Sequence, residues 1–182
     1  MKSKFKEIKF SNVAGCVCVI YNPTTNSILL TKRKDVPIWT FPGGTREENE
    51  NPIKCVCREI EEEVGLSIVS PLLFAKYKLK NGAQKNLYFT TYAKGNIKID
   101  PNEVSDYRWF SITRLPKYVG LYNAKTVQDF IKYLVTKETV TREQRVYLKK
   151  ELLTIFLSNP LNFLVLIVKY LINRLTKKTF KL

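Results

Sequence analysis

Apolar and β-branched positions crowd together in Ser11-Asn-Val-Ala-Gly-Cys-Val-Cys-Val-Ile-Tyr21, which reads as a buried strand. Ile28 to Thr31 supplies a second strand after the Asn22-Pro23 turn, so the fold is expected to open on a hairpin. From Asn51 the punctuation becomes helical: a capping Asn, Pro52 at the first helical position and Gly65 just past Val64. Leu72 to Leu79 and Leu87 to Ala93 flank Asn81-Gly82 and predict another hairpin, and Val104 to Phe110 a later strand. Beyond Leu115 the pattern is helical. Ala124, Val127, Phe130, Ile131, Leu134 and Val135 keep helical spacing, and Thr141 with Gln144 resembles a capping box that would start a further helix.

The segment Leu161 to Ile172 is apolar nearly all round, with a narrow polar strip of Asn162, Lys169, Asn173 and Thr176. It falls short of the ~20 apolar residues that span a bilayer. Residues 161–175 are therefore expected to form an interaction helix that is buried on the core or on a second copy, as a homodimer, or against a membrane surface. In that last case Arg174, Lys177, Lys178 and Lys181 would meet acidic headgroups. Protein packing is the commoner use of such a face. The organisation expected is a domain over residues 1–140 and a basic, apolar helical extension over 141–182.

The chain has 182 residues, 45% of them hydrophobic, enough for one ordinary domain with an appendage. Its 31 Lys and Arg against 16 Asp and Glu leave a net charge of +15, which favours polyanionic partners such as nucleotides, RNA or acidic lipid. Residues 117–182 carry 13 of the basic and 4 of the acidic residues, or +9. The absence of His excludes a Ser-His-Asp triad, a Cys-His dyad and any histidine-ligated metal. The four cysteines form two Cys-x-Cys pairs. Cys16 and Cys18 share a strand face while Cys55 and Cys57 diverge on a helix, so buried reduced thiols are expected in place of a zinc site. With no signal-peptide pattern at the N-terminus, a cytoplasmic location is expected.

Chemistry concentrates between Gly44 and Leu66. On a helix Glu59, Glu62 and Glu63 stand at i, i+3 and i+4, so that three carboxylates share one face. Like charges so close destabilise a helix, and a hard divalent cation, Mg²⁺ or Mn²⁺, is the simplest compensation. Arg58 is placed to pair with Glu50 or Glu61 and so hold the loop against the helix. Lys32-Arg33-Lys34 reads as a solvent loop outside the catalytic shell, and Tyr21, Trp39, Tyr77 and Tyr88 read as core.

Gly44-x5-Glu50-x7-Arg58-Glu59-Ile60-x-Glu62-Glu63-x-Gly65-Leu66 resembles the Nudix box at all nine specified positions. Trp39-Thr-Phe-Pro-Gly43 and Tyr107-Arg-Trp-Phe-Ser111 are similar to flanking family segments, and the likeness spans about residues 10–135. The resemblance implies an α/β fold of the Nudix type, an α/β/α sandwich with a mixed sheet, here followed by the helical C-terminal extension. It also implies hydrolysis of a phosphoanhydride in a nucleoside di- or triphosphate derivative. By the same resemblance Glu59 and Glu63 would ligate metal, Glu62 would be a ligand or the base, Gly44 would lend backbone contacts to the metal site, and Glu103 would be a further ligand or base. Two alternatives remain open: an RNA 5′-end pyrophosphohydrolase or decapping-like enzyme, suggested by the basic charge, and a catalytically silent binding module.

Overall fold

A computed structural model describes residues 12–143 apart from 36–37, 80, 117–118 and 120, together with the single positions 156, 157, 160, 164 and 168. The first strands are β1 (Val13–Asn22), β2 (Ser27–Arg33), β3 (Trp39–Thr40) and β4 (Gly43–Thr45). After helix α1 (Pro52–Val64) come β5 (Ser67–Ile68), β6 (Leu72–Lys78), β7 (Gln84–Thr90), β8 (Ala93–Lys94) and β9 (Val104–Ser111). Helix α2 (Leu121–Thr136) precedes β10 (Val140–Glu143). The main sheet is mixed and runs β10-β6-β7-β1-β2-β3, with β4 on β1 and β9 on β2. Its parallel pairs are β1 with β7 and β10 with β6. A separate two-stranded ribbon joins β5 to β8.

Helix α1 begins and ends where its sequence dictates. The Asn51 side chain accepts the Ile53 N–H at 2.8 Å, and Gly65, at φ 69°, donates its N–H to the Glu61 carbonyl. Its apolar stripe, Cys55, Val56, Ile60 and Val64, packs on Cys16, Cys18, Ile20, Leu29 and Tyr88 from one face of the sheet. Strand alternation sends Val17, Val19, Leu87 and Phe89 to the opposite face, where Val127 and Phe130 of α2 complete a second core with Phe74 and Trp39. The Phe130 ring lies 5.3 to 5.4 Å from those of Tyr21, Phe74 and Phe89. The expected α/β/α layering is therefore present, one helix to each face.

Several expectations require correction. Thr141 starts no helix: Val140–Glu143 is strand β10, paired with Ala75 to Lys78 of β6. It is fixed there by Arg142, which is ion-paired with Asp129 of α2 and lies over the Tyr77 ring, while the Tyr77 hydroxyl donates to the same carboxylate. Cooperation with a distant strand outweighs a local capping pattern. Lys32 and Arg33 are the last residues of β2 and not a loop. The second predicted hairpin strand is split, with Gln84–Thr90 in β7 and Ala93–Lys94 in β8. The expected helix over 161–175 lies almost wholly outside the described residues, as does Gln144; Leu164 and Val168 are helical and exposed.

Candidate active site

β4 is a three-residue strand, Gly43-Gly44-Thr45, laid antiparallel on β1 so that Val17 faces Gly43, Cys16 faces Gly44 and Gly15 faces Thr45. The glycines are required by contact. A Cβ on Gly43, at φ +139°, would stand 2.4 Å from the Cys16 carbonyl oxygen and 2.7 Å from the Val17 Cα; one on Gly44 would meet the Glu59 carboxylate at 2.3 Å. Gly43→Ala is therefore expected to cost about 3 kcal/mol or more, read from the midpoint of a denaturant titration, because the obstruction is backbone and the φ is hostile to a side chain.

Against this turn α1 presents its acidic face. Glu63 accepts the Gly43 N–H at 2.9 Å, and Glu59 lies against Gly44. Burial pushes Glu63 up to about 7, opposed by the Gly43 N–H and reinforced by Glu59 and Glu103. Burial also raises Glu59, with Glu62 and Glu103 adding to the shift and Arg58 opposing it. Glu103 thus belongs to the same electrostatic site, although it sits exposed in the loop before β9, its backbone carbonyl accepting the Lys34 N–H at 2.9 Å.

Arg58 is more central than its sequence position suggested. Its guanidinium grips Glu50 through Nε at 2.9 Å and Nη2 at 3.1 Å, and reaches the Thr45 carbonyl at 3.2 Å. Nη1 pairs with Glu62 at 2.9 Å and Glu59 at 3.0 Å, and Glu61, the other expected partner, is not among its ion pairs. This bidentate pair holds Glu50 below the usual carboxylate range. The loop from Thr45 to Glu50 is closed by Arg46, whose guanidinium donates to the Val13 and Glu50 carbonyls.

Two cations that sequence reasoning left out act on this site. Arg33 is locked by Asp35 and feels Glu63 and Glu103. Lys85 on β7 is lowered by burial and by Arg33, with Glu63 opposing. For Arg33 the strand pattern of β2, read through to its end, was a usable signal; for Lys85 there was none. Cys16, Cys18 and Cys55 are buried and reduced as expected, whereas Cys57 is reduced but only half-buried, and the Cys16 thiol donates to the Pro52 carbonyl at 3.2 Å.

Hard oxygen donors crowded on one face, with Glu59 and Glu63 both raised, chiefly by burial and then by their carboxylate neighbours, suit a hard divalent cation. In the arrangement seen no three Asp, Glu or Cys side chains converge on one point among the described residues, since Arg58 holds Glu59 and Glu62 and the Gly43 N–H holds Glu63. Ligation would require these carboxylates to turn from those partners.

The NUDIX domain family model matches residues 11–130. The chain belongs to the Nudix family. As a Nudix hydrolase it is similar to a putative 8-oxo-dGTP diphosphatase of Bacillus subtilis, 31% identical over 117 residues, covering 64% of this chain and 78% of that protein. It is 29% identical over 114 residues to the NAD-capped RNA hydrolase NudC of Vibrio atlanticus, over 61% of this chain but only 42% of that protein. Among solved structures, the MutT NUDIX hydrolase of Burkholderia pseudomallei superimposes with a TM-score of 0.57 at 27% identity, covering 63% of this chain and 95% of that one.

Proposed function

We propose that this Nudix hydrolase cleaves a phosphoanhydride bond in a nucleoside di- or triphosphate derivative and uses Mg²⁺ or Mn²⁺ held by Glu59, Glu62 and Glu63 beside the backbone of Gly44. The observation that carries this reading is the pair of buried-face carboxylates, Glu59 and Glu63, pressed against a glycine turn that admits no side chain. When bound, such a cation neutralises phosphate oxygens and activates water at neutral pH. Glu62, the most exposed of the three, takes a proton from the attacking water where it is not a ligand, and Glu103, whose charge is felt by Glu59 and Glu63, is the further base or ligand. Arg58 keeps the acidic face and the Thr45–Glu50 loop in one arrangement. Arg33 offers positive charge to the phosphates. Water adds to phosphorus, the bridging P–O bond breaks, and the two products leave as phosphate esters or anions. No covalent enzyme intermediate is required.

A second reading, hydrolysis at the 5′ end of RNA, is favoured by Tyr107 and Trp109, which stand exposed two residues apart on β9, and by the net charge of +15. The relative NudC, named for NAD-capped RNA, points the same way. A cytoplasmic location accords with reduced cysteines. No helix among the described residues is long and apolar enough to cross a membrane. A second copy or a membrane surface is the partner proposed for residues 161–175, of which Leu164 and Val168 are exposed.

The test is release of phosphate and pyrophosphate from dGTP, 8-oxo-dGTP, a nucleoside diphosphate sugar and a 5′-triphosphate RNA oligomer, with Mg²⁺, Mn²⁺ or chelator. Turnover of a mononucleotide that chelator abolishes is the expected outcome. Faster turnover of the oligomer, falling steeply with salt, would establish the RNA reading. No turnover of any substrate with either metal would leave a binding module.

A further inference from the structure

Lys85 belongs to no motif, and the register of the sheet is what brings it to the site. It lies opposite Gly15 of β1 and Tyr77 of β6, and Gly15 is in turn opposite Thr45 of β4. Paired residues share a sheet face, so Lys85 stands with Leu87 and Phe89 on the α2 side, while Asn86 and Tyr88 take the α1 side. Two residues further along β1, Val17 is opposite both Leu87 and Gly43. Beside Lys85 that face has no side chain at Gly15, Thr45 stands beyond it, and Gly43, the other glycine without one, lies a row further on past Val17. Neither can gain one cheaply, for a Cβ on Gly15 would stand 2.5 Å from the Gly44 carbonyl oxygen. The N–H of Gly43 holds Glu63. Arg33 acts on both Glu63 and Lys85, so two cations share the field of one carboxylate, and one of them stands beside the bare backbone of Gly15.

We infer that Lys85 is a specificity-determining residue: beside the bare Gly15 backbone it takes a non-bridging oxygen of the substrate's phosphate chain, and with Arg33 it favours nucleoside triphosphates over diphosphates. Like charges that repel in the free protein gain most from the ligand that places most negative charge between them. Once a metal has neutralised the carboxylates, a triphosphate has charge left for both cations, and a diphosphate has less. The inference rests on reading this site as that of a phosphoanhydride hydrolase.

Lys85→Met keeps the length of the side chain and removes its charge; Lys85→Arg keeps the charge. For Lys85→Met, kcat/KM for dGTP is expected to fall about 10- to 50-fold, chiefly through KM, and that for dGDP only about 2- to 3-fold. Calorimetric titration with inorganic triphosphate in Mg²⁺ should show affinity about 10-fold weaker, with Lys85→Arg restoring most of it. Equal losses on dGTP and dGDP together with unchanged triphosphate binding would overturn the inference and leave Lys85 a structural residue. If the wild type turns over neither nucleotide, the hydrolase reading fails, and the triphosphate titration alone still decides for or against Lys85. Should Lys85→Met not fold, Lys85→Gln carries the same comparisons.

Discussion

Glu63→Gln is expected to lower kcat by about 10²-fold or more, a loss of at least ~2.7 kcal/mol of transition-state stabilisation, while the fold survives. The amide cannot supply the anionic oxygen that the acidic face offers a cation, yet it can still accept the Gly43 N–H. The same substitution should stabilise the metal-free protein. Glu63 is raised to about 7 against a usual 4.5. In chelator the folded chain is fully favoured below the lower value and loses stability as pH rises through the higher one, by on the order of 2–3 kcal/mol. Glu63→Gln removes that loss, so in chelator its melting temperature should exceed the wild type's at pH 8 and match it at pH 4.5. Activity down and metal-free stability up mark a carboxylate kept for function. Wild-type turnover with an unchanged melting curve would remove Glu63 from the site's chemistry.

The second large effect is expected at Arg58. Arg58→Ala strips a bidentate partner from Glu50, whose side chain is only 11% exposed, and releases Glu59 and Glu62 from a shared guanidinium. An uncompensated, nearly buried carboxylate implies a stability loss of about 2–4 kcal/mol at pH 7, measured by denaturant unfolding. Glu50 is depressed by Arg58, so the wild-type contribution is present above the unfolded carboxylate's range and disappears as pH falls through the folded one; wild type and variant should therefore converge in acid. Affinity for Mg²⁺ or Mn²⁺, followed calorimetrically, should drop roughly 10- to 100-fold because the ligands lose their common support. Intact metal affinity with a raised KM alone would make Arg58 a substrate contact instead.

What could be read from the chain and what could not divide along a physical line. Helix α1 is specified locally: its Asn51 cap, Pro52 and left-handed Gly65 all act within one turn of where they stand, and the acidic spacing follows from helical geometry. The same holds for the Arg58–Glu50 pair, since helix and loop are close in sequence. β3 and β4 are two and three residues long, and β4 is mostly glycine, so no propensity announces them; they exist because β2 and β1 offer partners. β10 was hidden behind a plausible local alternative. Lys85 is brought to the site by standing opposite Gly15, a relation between residues 70 positions apart that no local pattern encodes.

That parallel pairing of β1 with β7 also sets an order of assembly. β1 takes β4 and part of β2 within the first 45 residues, but its long parallel neighbour begins only at Gln84. Pairings between distant segments form slowly, because the intervening loop must close before any contact rewards it. A nascent chain extended as far as residue 80 would already carry the whole Gly44–Leu66 motif and could wind α1, yet one flank of β1 would be bare. Its thiol-lined and apolar strand would then be open to aggregation or chaperone capture. The chain spells out its acidic helix early in synthesis, and the sheet on which that helix packs is completed only after β7 has emerged and docked.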